Sequence, residues 1–351
     1  MSDLGDVLET ARRAQGLRQA QVADAVGTTA VALSRYENGL RTPSQEVLSR
    51  LADALGVTVD LLQHAGRARS GMAMDAHMRR RATAPTTVWK QLEASLNMCR
   101  WHVGRLFENI SMHVDASVPR LDVDDYDPST AARIVRMQWH MPSGPVRQIT
   151  PWLEAAGCVI VMKDFQNRRI DGLSQWAGAV PVVLMNDNMP TDRRRLTMAH
   201  ELGHLVMHNS AMGPDDDVED QANAFAAEFL MPADFIRPSL RNLRVGQLPG
   251  LKAQYGVSMQ AIVERAYRFG YLTPAQRSGM YKLFGARGWR VSEPGSEALP
   301  PEQPRLLDMV AKDLSDSGHT REDIAAIAGY ATPERNELLR TGVQAGHLRA
   351  L

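Results

Sequence analysis

His200 and His204 stand four residues apart, with Glu201 directly after the first, in the run Met198-Ala199-His200-Glu201-Leu202-Gly203-His204-Leu205-Val206-Met207-His208. On a helix, residues at that spacing leave the same face one turn apart, so both imidazoles can grip a single zinc ion. Glu201 then sits beside the metal, placed to take a proton from a metal-activated water. That is the division of labour of an H-E-x-x-H site for metal-assisted hydrolysis. The pattern fixes only three positions, so its surroundings carry as much weight as the motif.

A helix has to present these groups. Its stripe would be Leu196, Ala199, His200, Gly203, His204 and Met207. Two histidines and a glycine inside an otherwise buried face are hard to explain by packing. Gly203 costs helix stability relative to alanine, and its small size lets another element come close to the metal. Zinc needs a third protein ligand, leaving a fourth position for water. Downstream, Asp215-Asp216-Asp217-Val218-Glu219 leads into a helix over 220–230, on which Glu219, Ala222, Asn223 and Ala226 share a face. On residue chemistry alone Glu219, Asp220, Glu228 and His208 all remain candidates for the third ligand. Upstream the period changes. Residues 158–162 and 180–185 are short β-rich runs with a turn at Asp171-Gly172-Leu173-Ser174 between them. They predict a small, mostly antiparallel sheet before the metal helix, with Pro181 favouring an edge position for the second strand. An extended peptide could add to such an edge through backbone hydrogen bonds. Arg193, Arg194 and Arg195 read as the exposed first turn of the metal helix.

The stretch from Arg193 to His208, followed by Glu219-Asp-Gln-Ala-Asn-Ala-Phe-Ala-Ala-Glu-Phe-Leu-Met-Pro232, closely resembles the ImmA/IrrE family of metallopeptidases. The resemblance extends over about 129–284 and takes in Asp171-Gly172-Leu173-Ser174 and Tyr255-Gly256-Val257-Ser258. It implies a zincin-like domain with Zn2+ held by His200, His204 and Glu219, and with Glu201 as general base. The spacing also permits Asn223 to orient Glu219 from behind the metal. The group that would stabilise the oxyanion has no candidate in the sequence.

The first sixty residues follow a different plan. Short helical patterns over 4–15, 19–26, 29–37, 44–55 and 59–63 are broken by Gly16, Gly27 and Gly39, with Thr28 and Ser44 as expected caps. Five short helices with a tight glycine turn between the second and third make a helix-turn-helix. Leu17-Arg-Gln-Ala-Gln-Val-Ala23, Leu33-Ser-Arg-Tyr-Glu-Asn-Gly39 and Thr42-Pro43-Ser44 resemble the lambda-repressor/Cro-type (XRE) DNA-binding domain. The resemblance implies that the third helix enters the major groove, with Thr29, Ala30, Val31, Ser34 and Arg35 nearest the bases and Gln19, Asn38 and Arg41 on phosphates. Arg35 could read a guanine, and Ala30 or Val31 a thymine methyl. Polar base-readers are otherwise few, which leaves a protein-contact role for this module as the alternative.

The chain has 351 residues, enough for two or three cores, and 44% hydrophobic with 23% charged residues is an ordinary globular composition. Forty basic against forty acidic residues give no net charge, so any nucleic-acid binding must come from a local patch. Cys99 and Cys158 form no disulfide framework, and no apolar run is long enough for a membrane span, so a cytoplasmic location and no membrane partner are expected. The expected architecture is α+β and predominantly helical. A helix-turn-helix domain (1–64) precedes a flexible basic linker (65–87), a zincin-like domain (88–288), a second linker (289–304) and a small helical region (305–351) for packing or partner binding. The resemblances imply a DNA-bound regulatory endopeptidase, possible as a homodimer, whose substrate is a transcriptional repressor. The competing expectation is a DNA-binding regulator that uses its zincin domain as a non-proteolytic sensor or scaffold.

Overall fold

The computed structural model describes residues 3–65, 85–110, 114–208, 216–290 and 292–339. It is α+β and mainly helical. The first five helices are α1 (Asp3–Ala14), α2 (Gln19–Ala25), α3 (Ala30–Glu37), α4 (Gln45–Leu55) and α5 (Val59–His64). Thr29, Ser44 and Thr58 cap three of them, each side-chain oxygen accepting the backbone N–H three residues on. The cap before α3 is thus Thr29, one residue beyond the expected Thr28. Val7, Leu8, Val22, Leu33, Leu51 and Leu62 close a core of their own.

The basic stretch expected to be a flexible linker falls largely on 66–84, outside the described residues. After it the long α6 (Thr86–Asn109) carries two apolar stripes. Leu92, Leu96, Val103 and Leu106 face the sheet. Ala94 and Met98 instead join the core of the helix-turn-helix, and Ser95 Oγ donates to the carbonyl of Ala14. The N-terminal domain is therefore seated on α6.

Next come α7 (Pro128–Gln138), α8 (Thr150–Ala155), β1 (Val159–Lys163), β2 (Gly172–Ala177) and β3 (Val180–Asn186). The sheet order is β1-β3-β2, with β1 parallel and β2 antiparallel to β3. It is mixed rather than mostly antiparallel, and two further expectations fail with it. The Asp171–Ser174 stretch is the start of a strand, not a turn. The strand holding Pro181 is central, and the edge beside the helices is β2. Pro181 is tolerated because it pairs with Trp176 of β2, and the β1 ladder begins only at Val182. Its missing N–H is not needed there.

The site helix α9 (Thr191–Met207) and α10 (Asp216–Leu230) pack side by side beneath the sheet. Gly203 eases this approach: a Cβ there would lie 3.2 Å from Phe225 of α10, which would have to give by a few tenths of an ångström. The helices α11 (Ala233–Leu240), α12 (Leu248–Tyr255), α13 (Met259–Arg268) and α14 (Pro274–Ala286) complete the main core.

Of the three arginines in the first turn of α9, Arg193 is exposed as expected and pairs with Asp171. Arg194 and Arg195 are instead buried, and Arg195 donates to the carbonyls of Val146, Arg147 and Gly256 while pairing with Glu302. That carboxylate also accepts from the N–H groups of Ile149 and Thr150 at 2.8 Å, closing the start of α8. Glu293 does the same at α13, accepting from Met259 N–H at 2.6 Å and pairing with buried Lys252 at 2.9 Å. The segment expected to be a second linker is therefore a strap without helix or strand among its described residues, pinned by two buried carboxylates.

Helices α15 (Leu306–Asp316) and α16 (Arg321–Ile327) lie on the sheet core, and a 3-10 turn at Pro333–Arg335 follows them. The chain then meets the N-terminal domain. Val57 bridges Tyr330, Thr58 N–H donates to the Gly329 carbonyl, and Ala331 N–H donates to the Gly56 carbonyl. His102 of α6 stacks on Tyr330 at 3.9 Å, its Nδ1 2.7 Å from the Ala328 carbonyl.

Burial holds His102 down to about 4 from an ordinary 6.5, against the opposing pull of the Ala328 carbonyl. Its folded value lies below its unfolded one, so the unfolded chain takes up the extra proton as pH falls through this window. Stability is lost between about pH 6.5 and 4, by roughly 2 kcal/mol at pH 5 from this residue alone. Urea unfolding at pH 7 and 5 should show the wild type losing roughly 2 kcal/mol more than His102→Gln over that interval. Equal pH dependence in the two proteins would contradict it.

Candidate functional site

The H-E-x-x-H turn lies mid-helix in α9, which a run of good helix formers carries through the core. His200 and His204 point the same way, their Nε2 atoms 3.0 Å apart. Glu219, in the first turns of α10, brings Oε2 within 3.7 Å of His200 Nε2 and Oε1 within 3.6 Å of His204 Nε2. Zinc bonds of 2.0–2.1 Å in a tetrahedral site require donors roughly 3.3 Å apart, a value these separations bracket. Among the described residues, this is the one cluster of His, Cys, Asp or Glu groups that could hold a metal.

The partners of the imidazoles turn the Nε2 atoms of His200 and His204 toward one another. Asn223 Oδ1 lies 3.1 Å from His200 Nδ1, which fixes that nitrogen as the donor and Nε2 as the lone pair. Gln221 Oε1 accepts from His208 Nε2 at 2.8 Å, which turns His208 Nδ1 toward His204 as an acceptor. His204 Nδ1 donates to it at 3.0 Å and turns its own Nε2 lone pair toward Glu219. Asn223 thus steadies His200 and not, as expected, Glu219. Of the rival ligands, His208 stands behind His204, Asp220 is exposed beside Arg268, and Glu228 is buried against Arg265.

Glu201 turns toward the sheet, 7% exposed, with Ser174 Oγ 2.6 Å from its Oε2. Burial pushes this carboxyl up to about 8, the Ser174 hydrogen bond opposes the rise, and the charges of Glu219 and Asp171 add to it. A carboxyl poised near neutrality suits a group that both takes and returns a proton.

These residues line one cleft of about 570 Å³. Edge strand β2 supplies Gly172, Leu173 and Ser174, α13 supplies Ala261 and Glu264, and the strap supplies Glu293 and Ser296. Trp89 of α6 and Trp289 complete its walls. Sequence reasoning missed Ser174, Gln221 and both tryptophans as site residues. Ser174 had a visible signal only in its place two residues after a glycine at the start of what proves to be a strand.

In the helix-turn-helix, Ala30, Val31 and Arg35 are exposed along α3, Val31 at 65%. Ser34 is half-buried. Thr29 spends its oxygen on the cap, though its side chain stays at the exposed start of the helix. Asn38 Nδ2 donates to the Ser34 carbonyl at 2.7 Å, and Arg41 lies 6.0 Å over the Tyr36 ring, both at the exposed end of the helix. Gln19 is drawn inward: its amide donates to Glu37 at 2.7 Å, and Glu37 forms a buried pair with Arg12. The face of α3 that would meet bases is thus small, apolar and tipped by one arginine.

Residues 153–267 match the family model of the IrrE N-terminal-like domain, a peptidase M78 domain, and residues 8–62 match a helix-turn-helix model. No curated protein and no solved structure matches the chain. No helix among the described residues is long and apolar enough to cross a membrane.

Proposed function

The chain joins a helix-turn-helix domain to an IrrE N-terminal-like peptidase domain, and on that basis we propose that it is a zinc-dependent regulatory endopeptidase whose substrate is a transcriptional repressor or similar regulator. One observation carries the reading. Three metal-type donors and a buried carboxyl at the next position converge in a single cleft, on a chain that also exposes a recognition helix.

In this reading His200 Nε2, His204 Nε2 and the Glu219 carboxylate hold Zn2+. When bound, the ion supplies a Lewis acid that polarises the scissile carbonyl and makes water acidic enough to ionise near neutral pH. The chain's own work is positional and protonic. Asn223 holds His200 in its tautomer, and the His208–Gln221 pair holds His204. Glu201 takes the proton of the attacking water as the new C–O bond forms, and returns it to the leaving nitrogen as the C–N bond breaks. The position of β2 as an edge strand of the sheet, lining the cleft, supports an extended peptide lying along it. The test is incubation of the zinc-loaded protein with repressors encoded beside its gene. Discrete fragments support the reading.

The seating of the N-terminal domain on α6 favours a second reading, in which the zincin domain is a sensor or scaffold for a DNA-binding regulator. Intact repressors combined with a cellular response that persists in Glu201→Gln would favour it.

Either reading requires DNA binding through α3, as a homodimer in the usual geometry of such domains. Arg35→Ala is expected to weaken binding to the preferred sequence by roughly tenfold or more, with a smaller loss on random DNA. Titration of both DNAs at one salt concentration decides it, and equal losses would rule out Arg35 as a base reader.

A further inference from the structure

Glu201 is gripped from the sheet side by two residues of β2 that lie two positions apart and so share a face. Gly172 gives its stem room. A Cβ at Gly172 would lie 2.9 Å from Thr197 Cγ2 and 3.3 Å from Glu201 Cγ, so the strand and α9 can touch here only through glycine. Ser174 then meets the carboxyl itself, its Oγ 2.6 Å from Glu201 Oε2 and 3.2 Å from the Glu201 backbone carbonyl. The strand is fixed in turn, Gly172 opposite Met185 and Ser174 opposite Val183.

We propose that Ser174 is a positioning residue that holds Glu201 in one rotamer both before and after it takes its proton. The inference rests on the reading of Glu201 as the proton carrier. A hydroxyl has one proton to give and lone pairs to accept with. With Glu201 ionised, Ser174 O–H donates to Oε2. With Glu201 protonated, Oε2–H donates to Ser174 Oγ, and the serine proton turns to the backbone carbonyl 3.2 Å away. No heavy atom moves between the two states. Alanine can make neither bond, whereas threonine can make both.

Acetohydroxamic acid tests this without a known substrate, because its acidic hydroxyl proton is taken by a carboxylate beside the metal. With zinc-loaded protein, Ser174→Ala should weaken its binding roughly ten- to hundredfold, the range expected for a lost hydrogen bond to a charged group. Ser174→Thr should restore it to within about threefold, within the scatter such measurements carry. Zinc content should stay at the wild-type level in both, which a loss of fold would not allow. Crystal structures should show the Glu201 carboxyl displaced in Ser174→Ala and in place in Ser174→Thr. Unchanged binding and an unmoved Glu201 in Ser174→Ala would overturn the proposal. If Glu201→Gln binds the probe as the wild type does, or the wild type holds no zinc, the proposed function fails instead. The position of Glu201 in crystals of the two Ser174 variants still decides whether Ser174 is its seat.

Discussion

A Glu201→Gln protein is expected to keep its zinc and to lose peptide cleavage by roughly 10²–10⁴-fold, the contribution of a positioned general base. Glutamine has the same shape, and its carbonyl oxygen can still accept from Ser174, which lies 2.6 Å from Oε2 in the wild type. It cannot take the proton of the attacking water. None of the three donors is altered, because Glu201 faces β2 while His200, His204 and Glu219 face one another. Removing a carboxyl that burial already penalises should not weaken the fold. Single-turnover cleavage beside metal analysis separates the roles, and cleavage at the wild-type rate would assign the base to another group.

Glu302→Ala is expected to destabilise the chain by roughly 3–5 kcal/mol, the range for removing one partner of a buried ion pair. The substitution leaves the Arg195 guanidinium, 2% exposed, without its carboxylate. It also strips the acceptor from the Ile149 and Thr150 N–H groups at the start of α8. Glu302→Gln should cost less, since an amide oxygen can still accept from those two groups. Urea unfolding of the three proteins measures the difference. A loss under about 1 kcal/mol in Glu302→Ala would mean that the strap is not held by this pair.

The sequence made the helix of the two histidines visible because it is a local pattern, whereas Glu219 was singled out from its rivals only by the family resemblance, and the structure brings it to the two histidines. The i, i+4 spacing of His200 and His204 is fixed by helix geometry, and Gly203 in the same stripe marked the close approach that Phe225 makes. Nonlocal pairing was invisible. The strand β2 carries Gly172, Ser174 and Gln175 in six residues, so it lacks the apolar alternation by which strands are recognised. Pro181 pointed to an edge strand, yet only its place before the β1 ladder mattered. The arginine run 193–195 read as a solvated turn because the acceptors that bury Arg195 come from Val146, Arg147, Gly256 and Glu302, up to 107 residues away. Glu293 and Glu302 belonged to a Pro- and Glu-rich stretch with every compositional sign of a linker. Their partners, Lys252 and Arg195, exist only in the folded chain.

The coupling of the two domains was hidden for the same reason. The first apolar stripe of α6, Leu92, Leu96, Val103 and Leu106, has helical spacing of its own, whereas the second, Ala94 and Met98, gains meaning only when α1 lies against it. The exposed residues of α3 were legible as a set, because the helix-turn-helix is built from local capping and glycine signals. Gln19 alone is turned inward, by Glu37 eighteen residues away.

The central claim is that His200, His204 and Glu219 hold a zinc ion that works with Glu201. The most direct measurement is zinc content of the wild-type and Glu201→Gln chains, taken beside cleavage of a repressor encoded next to the gene. The account predicts one zinc per chain in both proteins and fragments with the wild type alone. A wild-type chain without zinc, or equal cleavage by the two proteins, would contradict it.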